Sequence, residues 1–131
     1  MILLDTNIVS HIFNGSDLAI PYLERLRGQR ALISFQTLEE LWHGAWWAGW
    51  GERRQDELSR HLEHYEVVWV GPELVERCAR LRTERKAAGR ELPVADAWIA
   101  ATALLLNCPL ASRDHVFSDV PGLELLPAVQ R

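Results

Sequence analysis

Two hydrophobic periods alternate along this chain. Short apolar-rich runs of strand length, Met1 to Leu4, Ala31 to Ile33, Glu66 to Val70, Leu110-Ala111 and Leu123 to Leu126, are separated by longer stretches in which apolar residues recur every three or four positions. The first run is too brief for a helix and suits a strand buried on both faces, and it ends on Asp5. Between the runs the capping signals predict helices. Thr6-Asn7 caps one that continues through Phe13 and stops at Asn14-Gly15, Ser16-Asp17 caps a second that runs to Gly28, and Ser34 caps a third. The third carries Thr37, Glu40, Leu41 and Gly44 at i, i+3, i+4 and i+7, which is one face. Gly49 and Gly51 break it, and Glu52 to His64 reads as a charged, mostly exposed helix. Pro72 opens a long helix with Leu74, Cys78 and Leu81 at core spacing and Gly89 as its stop. Pro93 opens another, Val94 to Leu106, apolar almost all round, whose one acid is Asp96 in the first turn.

Strands alternating with helices predict an α/β fold, an open parallel sheet of four or five strands with right-handed crossovers and helices on both faces. The length of 131 residues fits a single domain spanning 1–131. Such sheets place their sites outside the carboxyl ends of the strands. Asp5 and Asp114 each follow a strand end, and Glu40 and Asp96 each lie in the first turns of a helix that follows a loop. The fold therefore predicts four acids converging at one edge.

Composition narrows what that edge is for. With 48% hydrophobic and 24% charged residues the chain has enough apolar side chain for a core and is unlike a disordered segment. Acids outnumber bases by 18 to 14, a net charge of −4, so the molecule as a whole has no basic surplus for nucleic acid and any such contact must be local. All the basic residues except Lys86 are arginine. Cys78 and Cys108 form no CxxC pair, so neither a zinc ligand set nor a disulfide framework is suggested, and the pair fits core residues in a reducing cytosol. No run approaches the ~18 apolar residues of a membrane span, and the N-terminus lacks the order of a signal peptide, so a soluble, cytoplasmic chain with no membrane association is expected.

Carboxylates crowded together raise one another's pKa, and a cluster of them persists mainly where a cation neutralises it. All-oxygen ligation suits a hard ion such as Mg²⁺, which keeps several waters and is shared with substrate phosphate, and a pair of such ions serves many nucleases. Each acid has a plainer reading. Glu52, Asp56, Glu57, Glu63 and Glu84 read as solvated charges on helix faces. Asp5, the polar end of an apolar run, competes with a helix cap, and Asp96 with an acid that merely answers the helix dipole. Periodicity alone does not separate Glu40 from Glu39, and Asp114 competes with a routine turn residue.

Four segments carry a resemblance: Leu3-Leu4-Asp5-Thr6-Asn7; Thr37-x-x-Glu40-Leu41-x-x-Gly44; Pro93-x-x-Asp96-x-x-Ile99-Ala100-Ala101; and Ser112-Arg113-Asp114 followed by Phe117 and Val120-Pro121-Gly122-Leu123. In this order and at this length they resemble a PIN domain of the VapC toxin type. The resemblance implies a metal-dependent endoribonuclease, the toxin of a toxin–antitoxin pair, that cuts single-stranded regions of RNA with Mg²⁺ or Mn²⁺. It maps the metal-holding and catalytic acids onto Asp5, Glu40, Asp96 and Asp114, with Thr6 and Ser112 as supporting hydroxyls. It also implies a VapB-type antitoxin as partner and a homodimer. Arg113 and Arg90 are the candidates for RNA contact, whereas the arginines of the Pro72 helix do not share one face and read as solvated. His115 and Asp119 read as surface residues.

Two competing functions follow from the same acids. A phosphatase of the haloacid dehalogenase type needs a second acid two places after the first, where this chain has Asn7, and a lysine beside the phosphate, for which only Lys86 is available. A catalytically silent module, binding RNA or protein on the same fold, would gain stability by losing some of the mutually repelling acids, and all four are present. Trp42, Trp46 and Trp50, at i, i+4 and i+8 after Leu38, form a stripe that is either core or a partner surface.

Overall fold

The computed structural model describes residues 1–126. Its strands are β1 (Ile2–Leu4), β2 (Ala31–Ser34), β3 (Glu66–Val68), β4 (Leu110–Ala111) and β5 (Leu125–Leu126). They form one sheet in the order β3-β2-β1-β4-β5, and every neighbouring pair is parallel. The helices are α1 (Thr6–Phe13), α2 (Ile20–Leu26), α3 (Phe35–Trp47), α4 (Glu52–Leu62), α5 (Pro72–Ala87) and α6 (Val94–Leu106).

Alternation along the strands splits the core in two, because successive strand side chains point to opposite faces. Leu3, Leu32 and Leu110 meet Leu74, Cys78 and Leu81 of α5 and the alanine-rich side of α6. Ile2, Leu4, Ile33 and Ala111 meet Ile8 and Val9 of α1, Tyr22 of α2 and Leu41 of α3. Helices thus cover both faces, as the strand–helix alternation predicts. The apolar girth of α6 is explained by its depth: Ala97, Ile99, Ala100, Ala101, Thr102 and Ala103 are all buried. Asn107 ends that helix in the left-handed region at φ 52°.

Several boundaries differ from those predicted. The helix expected from Ser16 to Gly28 is a 3-10 turn at Asp17–Ala19 followed by α2, with Pro21 in the first turn of α2. β3 ends at Val68 rather than Val70. Its partner β2 pairs through Ser34 and then turns into α3, so Trp69 and Val70 have no strand beside them on that side and are exposed. α4 stops at Leu62, two residues before His64, and β5 is limited to Leu125–Leu126. α3 ends at Trp47, so Trp50 lies outside the helix and the expected i, i+4, i+8 stripe is broken.

Candidate active site

The order of strands reverses at β1, which has β2 on one side and β4 on the other. Parallel sheets open a crevice at such a switch point, beyond the carboxyl ends of the two strands. A pocket of about 110 Å³ lies there, lined by Asp5, Thr6, Asn7, Glu40, Asp96, Ile99, Asp114 and Phe117. All four predicted acids reach it, from the end of β1, the second turn of α3, the first turn of α6 and the segment after β4. Glu39 does not line it; it is exposed and lies 3.5 Å from Gln36 Nε2.

Asp5 is only 4% exposed. It caps α1, its Oδ1 accepting from the Ile8 N–H at 2.9 Å, while its own N–H donates to the Ala111 carbonyl at 3.1 Å and ties β1 to β4. The capping role and the place in the pocket therefore coexist in one residue. Burial raises its pKa, the Asp114 charge adds to the rise, and hydrogen bonds from Ser112 and Ile8 oppose it. Asp114 follows the same plan, its Oδ1 capping the 3-10 turn His115–Phe117 through the Val116 N–H at 3.0 Å. Ser112 joins the two acids, for its hydroxyl bonds the Asp5 carboxylate and accepts the Asp114 N–H at 3.0 Å.

Glu40 is held from a different side. Thr6 Oγ1 lies 2.5 Å from Glu40 Oε1 and 3.0 Å from the hydroxyl of buried Thr37. A hydroxyl has one proton, so Thr6 donates to the carboxylate and accepts from Thr37, a relay that fixes the acid's position. Asp96 has no hydrogen-bonding partner among the described residues. Burial raises its pKa, and the charges of Asp114, Glu40 and Asp5 raise it further. The four acids thus repel one another across one small space. Among the described residues no three His, Cys, Asp or Glu side chains close tightly enough to enclose an ion by themselves. This donor set, all oxygen, partly desolvated and open on one side, fits a hard divalent cation that keeps water and takes part of its shell from elsewhere.

The arginines divide. Arg113 is exposed beside Asp114. Arg90 does not line the pocket, and its guanidinium donates to Asp119 Oδ2 at 2.7 Å. Nor are all the α5 cations solvated: Arg85 is 6% exposed and donates to the carbonyls of Arg90 and Asp119 and to Asp119 Oδ1, at 3.1, 2.9 and 2.9 Å. Asp119, read as an ordinary surface residue, is the anchor of this cluster. A signal for Arg85 was present, since it continues the Leu74, Cys78, Leu81 core spacing, and a guanidinium at such a register needs a partner.

The chain belongs to the PIN domain family, whose pattern matches residues 2–123. Among its relatives, the plasmid stability protein StbB of Pseudomonas syringae pv. tomato is 30% identical over 135 aligned positions, covering 96% of each chain. Ribonuclease VapC4 of Mycobacterium tuberculosis is 28% identical over 105 residues, covering 79% of this chain and 81% of that protein. A chain in the crystal structure of VapBC2 from Rickettsia felis, bound to a DNA fragment from its promoter, superposes with a TM-score of 0.86 at 28% identity, over 97% of this chain and 98% of the other. No helix among the described residues is long and apolar enough to cross a membrane.

Proposed function

We propose that this protein is a metal-dependent endoribonuclease, the toxin of a toxin–antitoxin pair, which hydrolyses phosphodiester bonds in single-stranded or loop regions of RNA and is restrained by a VapB-type antitoxin. The observation that carries the reading is the placement of Asp5, Glu40, Asp96 and Asp114 around one pocket at the switch point of the sheet. Membership of the PIN family, a relative named as a ribonuclease and a fold shared with a chain of a VapBC complex support it.

In this reading the four carboxylates hold Mg²⁺ or Mn²⁺. A bound ion supplies positive charge at the scissile phosphate and acidifies water for the attack. The protein's own groups provide the rest. Thr6 and Thr37 fix the Glu40 carboxylate, and Ser112 holds Asp5 and the backbone of Asp114 in one register, as supporting groups commonly do for metal-holding acids. The raised pKa values of Asp5 and Asp96 make the pocket receptive to positive charge, since a cation relieves the repulsion. Arg113, exposed next to Asp114, is the candidate for contact with an RNA phosphate. Arg90 is committed to Asp119 and is the weaker candidate.

The test is cleavage of RNA oligonucleotides by purified protein. Cutting is expected with Mg²⁺ or Mn²⁺, none in excess EDTA, and none by Glu40→Gln. Cleavage that persists in EDTA would overturn the metal-dependent reading and turn attention to acid–base catalysis by His43 or His115.

A further inference from the structure

The acid pocket has a neighbour. A second pocket of about 180 Å³ shares Thr6 and Glu40 with it and runs between α1 and α3 toward the loop before α4. We infer that this second pocket, walled by Phe13, Asn14, Gly44 and Trp50, is the subsite for a nucleobase flanking the scissile phosphate. The inference rests on the RNA-cleaving reading above and specifies how the strand is held.

Its chemistry is that of a base site. The floor is apolar, formed by the buried side chains of Leu41, Ala45 and Leu58. The rings of Phe13 and Trp50 stand 5.8 Å apart and are inclined at 35° to each other. Arg54 packs on both, its guanidinium 4.3 Å from the Phe13 ring centroid and 4.8 Å from that of Trp50, and His61 lies 5.3 Å from the Phe13 ring. Arg54 also donates to Asn14 Oδ1 at 2.8 Å. The Asn14 carbonyl is therefore used, and its NH₂ is left to donate to a base edge; the Ser10 hydroxyl lines the same space. Unpaired bases are bound in this manner, by stacking on aromatic rings and by a few hydrogen bonds to their edges. The volume is below the ~300–1,000 Å³ of pockets that take drug-sized ligands, which restricts the occupant to a single ring system. Continuity supports the assignment, because the two pockets share Thr6 and Glu40, and a nucleoside next to a phosphate at the acids is within reach of the second one.

Gly44 supplies an independent observation. Glycine within a helix is destabilising relative to alanine, so a helical glycine needs a reason. Packing against other elements is not that reason: apart from its chain neighbours and its own helix backbone, no heavy atom among the described residues lies within 4 Å of where a Cβ at position 44 would stand. Gly44 is among the residues that line the second pocket, so a side chain there would stand at its wall.

The experiment uses synthetic RNA that the wild-type chain cuts, with an abasic nucleotide placed in turn at each position flanking the cut. Removing the base at one flanking position is expected to lower kcat/KM by about five- to 100-fold, the range of one base–aromatic stack. Gly44→Leu should lower cleavage of the intact RNA to the same level and show no further loss on the abasic RNA. Gly44→Ala, expected to keep the fold and raise Tm, should shift the base preference at that position and keeps the test valid if the leucine variant unfolds. Variants that retain the wild-type base preference and abasic sensitivity would overturn the inference while leaving the ribonuclease reading intact. Loss of inhibition by the antitoxin with unchanged cleavage would overturn it too, assigning the pocket to a protein partner. If the wild-type chain cuts no RNA with Mg²⁺ or Mn²⁺, the proposed function fails and the subsite fails with it.

Discussion

Asp96 is the least supported of the four acids, with no hydrogen bond among the described residues to offset its burial and three like charges around it. Its pKa in the folded chain is raised above the ordinary 3.8, so the native state binds the proton more readily than the unfolded state does. Stability from this group is present below pH 3.8 and is lost as pH rises through the raised value. Asp96→Asn removes the loss. We therefore expect the metal-free variant to melt higher than wild type at pH 7, the gap closing as pH falls toward 3.8, while RNA cleavage drops by at least about a hundredfold. Calorimetry in EDTA across pH checks the first part and a cleavage assay the second; a variant that melts lower at pH 7 would show that the acid serves the fold. Asp5→Asn is a harder probe, because an asparagine oxygen can still accept the Ile8 N–H and the cap survives.

Elements were legible in the sequence wherever punctuation was local. Proline at the start of α5, serine at the start of α3 and glycine after α1 mark those ends, and all are features of one short window. Boundaries went astray where a distant partner decided them, as at Val68, where β3 ends because β2 turns away. The same distinction explains the site. Asp5 and Asp96 stood out as acids in apolar surroundings, and Glu40 through its helix face, whereas the Arg85–Asp119 pair spans 34 residues and has no local signature on the Asp119 side. That pair pins the C-terminal part of α5 to the segment after β4. Arg85→Met keeps the bulk and loses the charged hydrogen bonds, and should cost about 2 kcal/mol by chemical denaturation. The tryptophans of α3 lead to the opposite expectation. Trp46 and Trp47 are 64% and 86% exposed, so the core reading fails for both. Trp46→Ala should change the stability of the isolated chain by less than about 0.5 kcal/mol, whereas a buried tryptophan would cost ~3–5 kcal/mol; differential scanning calorimetry decides it.

At the scale of the whole molecule, a net charge of −4 sits on a protein whose proposed substrate is a polyanion. Long-range steering therefore contributes little, and association depends on neutralising the acid pocket. Titration calorimetry on the free chain should find weak Mg²⁺ or Mn²⁺ binding, tightened when a non-cleavable RNA is present, because phosphate completes the coordination shell. Equal affinity with and without RNA would separate the ion from the substrate and remove the coupling.

The place of β1 in the sheet has a consequence for the order of synthesis. The strand that leads into Asp5 is the first of the five described strands to be translated, and it lies at the centre, paired with β2 on one side and with β4 on the other. Ser112 and Asp114 come from the segment after β4, so the pocket wall is incomplete until nearly all of the described chain has been translated. Domains fold largely as they emerge, N-terminal parts first. A half-made chain can therefore dock β2 against β1 and still lack two of the four acids, Asp96 and Asp114, and the serine that ties Asp5 to Asp114. For a chain proposed to cut RNA, this topology withholds the finished pocket from the nascent chain while the message is still being read.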